Sequence, residues 1–224
     1  MNVKKTKTML ISKHPEGKKI AVKVDGVVLE QVNIFKYLGT LIKNDLKTEE
    51  EIECRTNLAK AKFCGMYKVL TSKRLKMKTR LKILKRSYIY SIFTYGCEAW
   101  SLSKILEEKI EIFENWCLRM MGKIQWKDRI SNEKVLQILK TKRSLLESIQ
   151  KRKLKYFGHI KRKDNILTTA IEGRLCGRRS RGRPRNSWFT DIKTWTGLSG
   201  RECTRLAAQR DLWSVISRQP SSRR

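Results

Sequence analysis

The segment Val32–Ile42, VNIFKYLGTLI, limits the possible folds more than any other stretch of the chain. Drawn out as a strand, it puts Phe35, Tyr37 and Leu41 on one face and Ile34, Leu38 and Ile42 on the other. A strand that is apolar on both faces is expected to lie between two layers. Gly39 inside it predicts a bulge or tight bend, where another backbone or a ligand comes close. The segment also divides the chain: residues before it alternate apolar and polar as strands do, and those after it follow helical periodicity.

Upstream, a lysine-rich lead ends in a short apolar strand at Met9–Ile11. Ile20, Val22 and Val24 then alternate, Asp25-Gly26 makes a two-residue turn, and Val27–Leu29 returns, which is a hairpin pattern. Asp25 reads as a turn residue, not an acid catalyst. So small a set of strands sits near the limit of independent folding and is expected to lean on the helices that follow.

Those helices carry the charge. Thr48 and Glu51 read as a capping box, with Glu49, Glu50 and Glu51 suited to the positive end of a helix reaching about Leu70. Between Glu53 and Glu98 there is no acid and there are twelve Lys or Arg. Lys73, Arg74, Lys76, Lys78, Arg80, Lys82, Lys85 and Arg86 crowd the start of a second helix, whose expected core face is Leu81, Leu84, Tyr88 and Ile92. Like charges at this density destabilise an isolated helix, so something negative is expected along this face. After YGCEAW, a third helix from about Ser103 has Leu106, Ile110, Phe113, Cys117 and Met120 at helical spacing and is closed by Gly122. Trp116, Met120 and Met121 read as core.

A brief helix is expected over Ser131–Leu139, and Ser144 with Glu147 reads as a second capping box opening a helix to about Lys163. Its expected apolar face is Leu146, Ile149, Tyr156 or Phe157, and Ile160. Gly173–Trp188 is too polar and too rich in glycine for helix or strand. Beyond it Trp188, Ile192 and Trp195 line a short helix, and Ser199 with Glu202 caps another carrying Leu206, Leu212, Trp213 and Ile216. The tail from Pro220 is expected to fray.

With 52 Lys+Arg against 21 Asp+Glu, the chain carries +31 over 224 residues. Such a chain repels itself unless a polyanion lies against it, and ordinary soluble surfaces mix both signs. RNA or DNA is therefore the expected partner. Six cysteines without a CxxC pair, and no signal-type apolar run, read as an intracellular protein of nucleus or cytoplasm, not secreted. No apolar run approaches the roughly 18 residues of a membrane span, so no membrane partner is expected. His14 and His159 adjoin no cysteine pair, and the carboxylates are not spaced for a two-metal site. Nothing adjacent in sequence activates Cys97 as a thiol paired with His159. On its residues the chain is a binder, with no cofactor and no small-molecule substrate. Within SRGRPR, Arg181, Arg183 and Arg185 radiate from a backbone held extended by Gly182 and Pro184, with Arg178 and Arg179 just upstream. This resembles the core of an AT-hook, slim enough for the minor groove; the plainer alternative is a solvated basic linker or import signal.

The order of these pieces is itself informative. NVKKTKTMLISK, a hairpin, FKYLGTLI, YGCEAW, RMMGKIQWKDRISNEKVL, KLKYFGHIKR, GRRSRGRPRNSW and a closing WDLW-like helix together resemble the carboxy-terminal part of a non-LTR, LINE-type retrotransposon endonuclease–reverse transcriptase. The resemblance implies an α+β, predominantly helical chain. Residues 1–45 would be an antiparallel strand remnant ending the polymerase palm, and 46–123 a thumb-like helical bundle. Residues 124–172 would be a basic helical extension, 173–187 a Gly/Arg-rich linker, and 188–224 a terminal helix pair with its tail. It further implies that Lys5, with Lys7 beside it, stands near an incoming nucleotide's phosphates. Phe35, Tyr37, Leu38 and Gly39 would match a primer grip, and the basic helices, with Lys73, Arg74, Lys78 and Arg80, would hold template–primer. The Tyr/Phe-x-Asp-Asp turn of that family does not occur in these 224 residues. The chain alone is therefore expected not to polymerise, and Mg2+ belongs only to the intact parent enzyme. An AT-hook-like DNA-binding protein and a non-functional translated remnant of a mobile element are the alternatives.

Overall fold

The structure, a computed structural model, describes residues 2, 6–11, 20–163, 166–172, 187–218 and 220. It is an α+β chain, predominantly helical, with its short strands near the amino terminus. Two compact units divide it, Met1–Asn57 and Leu58–Arg224.

In the first unit, β1 (Lys7–Thr8) pairs with β4 (Glu30–Gln31), in parallel rather than antiparallel as expected. The other pairs are antiparallel hairpins: β2 (Lys23–Val24) with β3 (Val27–Val28), and β5 (Ile34–Tyr37) with β6 (Thr40–Lys43). Both have two-residue turns whose residues take positive φ: Asp25 (51°) with Gly26 (79°), and Leu38 (47°) with Gly39 (85°). This is the type I′ geometry that matches strand twist. Val32–Ile42 is therefore not one strand between two layers. Its chain reverses at Leu38-Gly39, and Ile34, Phe35, Tyr37 and Leu38 are exposed. The physical reason is the reversal itself, since a ribbon of two four-residue strands folds back before it can carry a layer on both faces.

Helix α1 (Glu49–Gly65) begins with three acids in its first turn, as expected, but it ends well short of Leu70, and α2 (Tyr67–Leu70) follows as a separate turn. Glu51 does more than favour the helix start. Its Oε2 accepts the Leu41 N–H at 2.7 Å and its Oε1 accepts Arg55 Nε at 2.7 Å, while Arg55 Nη2 donates to the Gly39 carbonyl at 2.6 Å. Both side chains are buried. The β5–β6 hairpin is thus tied to α1 through the buried Glu51–Arg55 pair, and Lys43 of β6 also pairs with Glu50 of α1 at 2.5 Å.

In the second unit, α3 (Met77–Lys82) passes through a π-helical turn (Ile83–Ser87) into α4 (Ile89–Phe93). The wide turn adds a residue, so the core face steps from Leu84 to Ile89 and Phe93, and the expected Tyr88 is exposed. Tyr90, brought inward, donates its hydroxyl to Glu114 Oε1 at 2.8 Å. Helix α5 (Lys104–Gly122) buries Leu106, Ile110, Phe113 and Cys117 as its periodicity predicts, with Met121 in place of Met120. Phe113 stacks on Phe93 at 4.7 Å between ring centres. The helix closes at Lys123, which takes the left-handed conformation expected of Gly122. Helix α6 (Asn132–Ile138) is capped by Ser131, whose side chain accepts the Lys134 N–H.

Helix α7 (Leu145–Lys161) buries Leu145, Ile149, Leu154, Phe157 and Ile160, so Leu145 takes the place expected of Leu146, and of the alternatives Tyr156 and Phe157 it is Phe157 that turns inward. Its capping box does not form; the Ser144 side chain makes no cap bond. The buried Glu114 carboxylate does the capping, accepting the Ser144 N–H at 2.9 Å and the Leu145 N–H at 3.1 Å. A carboxylate at a helix N-terminus satisfies orphan donors and suits the dipole.

After α8 (Ile166–Glu172), helices α9 (Trp188–Thr196), α10 (Gly200–Ala208) and α11 (Arg210–Arg218) complete the unit. The single helix expected after Ser199 breaks in two at Gln209, which is extended (φ −94°, ψ 106°). The Ser199–Glu202 box is present in full. Leu154, Phe157, Ile192, Cys203, Ala207 and Trp213 form a shared core. Trp213 lies flat enough on Gly158 that no Cβ would fit there, and its Nε1 donates to the Leu154 carbonyl at 2.8 Å. Lys153, which lies outside the apolar face expected of this helix, is fully buried. Its Nζ lies 2.5 Å from Asp191 Oδ2 and 2.6 Å from the Trp100 carbonyl, with the Trp188 and Trp195 rings around it. Among the described residues no helix is long and apolar enough to cross a membrane.

Candidate nucleic-acid interface

The acid-free stretch builds one wall of an open groove of about 720 Å³. Met77, Lys78, Leu81 and Lys82 come from α3, and Lys85 and Arg86 from the π turn. Ile138–Thr141, at the end of α6, forms the opposite wall. Five of these ten residues are cationic and none is acidic. Met77, Leu81, Ile138 and Leu139 supply the apolar part.

Local geometry explains how the walls are held. Lys85 reaches across, its Nζ 3.0 Å from Thr141 Oγ1 and 2.9 Å from the Lys142 carbonyl. Burial lowers its pKa from the ordinary lysine value, with Glu114 and Glu147 acting against that through space. At the end of α6 the Thr141 N–H bonds the Leu136 carbonyl and the Lys140 N–H bonds that of Gln137, both at 3.0 Å. This is a Schellman close, and Lys140 holds the left-handed position (φ 48°) that usually belongs to glycine. A cation therefore sits at the groove's edge at a backbone cost of about 1 kcal/mol.

Of the residues singled out by sequence, Lys78 lies in this groove, and Lys73 and Arg74 are exposed on the turn leading into α3. Arg80 is directed inward, its Nη1 3.3 Å from both the Leu70 and Met121 carbonyls, at the ends of α2 and α5. In the first unit, Lys7 pairs with Glu30 at 3.1 Å, and Phe35, Tyr37, Leu38 and Gly39 form the exposed hairpin end, with Leu38 75% accessible. Lys5, Arg178, Arg179, Arg181, Gly182, Arg183 and Arg185 lie outside the described residues, as does the hook-like SRGRPR. Sequence reasoning did not single out Lys140 or the apolar floor, nor Trp126. Trp126 is 90% exposed on a short 3-10 turn (Trp126–Asp128) between Lys123, Lys127 and Arg129. A tryptophan that fits no helical core face was the available signal.

Among the described residues no three His, Cys, Asp or Glu gather as a metal site. Cys97 is buried, and burial pushes its thiol up to about 12, far from a nucleophile's range.

The arrangement defines a strongly cationic helical protein with an apolar groove edged in positive charge, suited to a ligand that is anionic outside and apolar within. The chain is 31% identical over 147 residues to a transposon-derived protein of Caenorhabditis elegans, covering 64% of this chain and 52% of that one. It is 28% identical over 169 residues to a Drosophila melanogaster protein named as the probable RNA-directed DNA polymerase from transposon X-element, covering 74% of this chain and 18% of that one. The chain thus spans about half the length of the first relative and under a fifth of the second. No protein-family profile matches it, and no solved structure does. Its relatives are transposon proteins.

Proposed function

We propose that this chain is a retrotransposon reverse-transcriptase segment that binds RNA or DNA without polymerising it. The observation that carries the reading is the groove, with five cations and no acid among its ten residues. The transposon relatives, one of them named as an RNA-directed DNA polymerase, support the same reading. In it, residues 46–123 act as a thumb on template–primer. The Phe35–Gly39 hairpin supports a primer end, and its exposed Tyr37 and Leu38 are available for that contact. Trp126 offers a flat ring to an unpaired base.

The test is fluorescence anisotropy with labelled RNA and DNA. With about six phosphate contacts, affinity should fall roughly a thousandfold between 50 and 200 mM salt. Primed template with Mg2+ and nucleotides should give no extension. Binding indifferent to salt would remove the electrostatic reading, and extension would remove the non-catalytic one.

A further inference from the structure

The groove is more than a charged surface, and its apolar floor needs an occupant. We propose that it takes unpaired nucleotides, the bases lying against Met77, Leu81 and Ile138 and the phosphates against Lys78, Lys82, Lys85, Arg86 and Lys140. This rests on the nucleic-acid reading above and deepens it, placing an unpaired stretch of a template–primer, not its duplex, in the groove.

The apolar lining carries the choice, and two further observations favour an anion in the groove. A duplex presents phosphate and sugar outward and hides its base faces, so it would satisfy the rim and leave the apolar floor wet. An unpaired strand offers both surfaces at once, and a groove of about 720 Å³ falls in the range that small ligands fill. Lys85 is half-buried at the groove, and two of its protons go to neutral oxygens of Thr141 and Lys142. An anion in the groove would be its direct ionic partner. Finally, Lys140 keeps a left-handed backbone that glycine would hold without strain, and the groove edge is where its charge has a use.

The experiment uses the whole chain at one fixed salt concentration and three labelled probes of equal phosphate count. These are a pyrimidine single strand, a strand of abasic sites, and a blunt duplex. The single strand should bind about tenfold tighter than the abasic strand, the difference being base contact. Ile138→Ser, at a position 52% exposed and so safe for folding, should erase most of that difference while leaving abasic and duplex affinities within about twofold. Lys140→Gly should weaken the single strand while raising the thermal midpoint, an outcome that misfolding cannot imitate. Equal binding of abasic and normal strands would overturn the proposal. So would an equal loss for all three probes in Ile138→Ser, or displacement of the strand by an oligoglutamate of equal charge. If no probe binds, the broader nucleic-acid reading falls with it.

Discussion

Replacing Lys153 with methionine would remove a cation from the centre of the second unit and leave its partner stranded. Lys153 is 0% exposed and Asp191 2%. Their atoms are 2.5 Å apart, and the Asp191 Oδ2 also accepts the Leu102 N–H at 2.9 Å. Methionine fills the volume, so packing changes little, whereas an unpaired buried carboxylate costs about 3–5 kcal/mol. For a unit of this size that is roughly a 6–20 °C fall in thermal midpoint. Circular dichroism melts of Lys153→Met, Asp191→Asn and the double variant should show at least ~2 kcal/mol of recovery in the double. Asparagine keeps an acceptor for Leu102 while removing the charge. Burial also lowers the lysine's pKa below 10.5, with Asp191 opposing. Between the lowered pKa and 10.5 the unfolded state binds the extra proton, so wild-type stability relative to the methionine variant should rise with pH across that alkaline window. A single variant losing under about 1 kcal/mol, or a double no better than its singles, would refute the argument that this pair is a desolvated ionic tie.

Gly158→Ala would place a Cβ 2.3 Å from Trp213 Cδ1 and 2.6 Å from its Nε1. Urea unfolding should show a loss of about 1–3 kcal/mol as the indole is displaced from the Leu154 carbonyl. Leu38→Asn should stabilise the β5–β6 hairpin by about 1 kcal/mol, since asparagine tolerates the left-handed backbone, and slower amide exchange of the hairpin would report it. A thiol reagent near neutral pH should label exposed Cys64 quickly and buried Cys97 only on unfolding.

Periodicity and caps were readable where one element decides its own fate. The Asp25-Gly26 turn, the buried stripe of α5 and the Ser199 box each depend on residues within a few positions of one another. The failures share a cause in partners distant along the chain or in backbone that composition does not announce. Gly39 announced a bend within Val32–Ile42, but the full chain reversal was missed because leucine is an unusual first residue for a type I′ turn. Ser144 and Glu147 had capping-box spacing, but Glu114 from α5 holds those donors. Lys153 sat in a run of bases with nothing nearby to reveal Asp191 or the two tryptophans. Half of the groove was legible, as the acid-free wall; its other wall, Ile138–Thr141, is joined to it only by the fold. The similarity to transposon proteins was anticipated from the order of motifs taken together, none of which is specific alone.

The π turn at Ile83–Ser87 gives length a meaning that composition lacks. An α-helical residue advances the chain by about 100°, so loss of one codon here would regularise the helix and swing Lys78 and Lys82 off the wall that faces Ile138–Thr141. Among natural variants of this chain, swaps of lysine for arginine along this run should be tolerated, while in-frame gains or losses of a single residue should be purged.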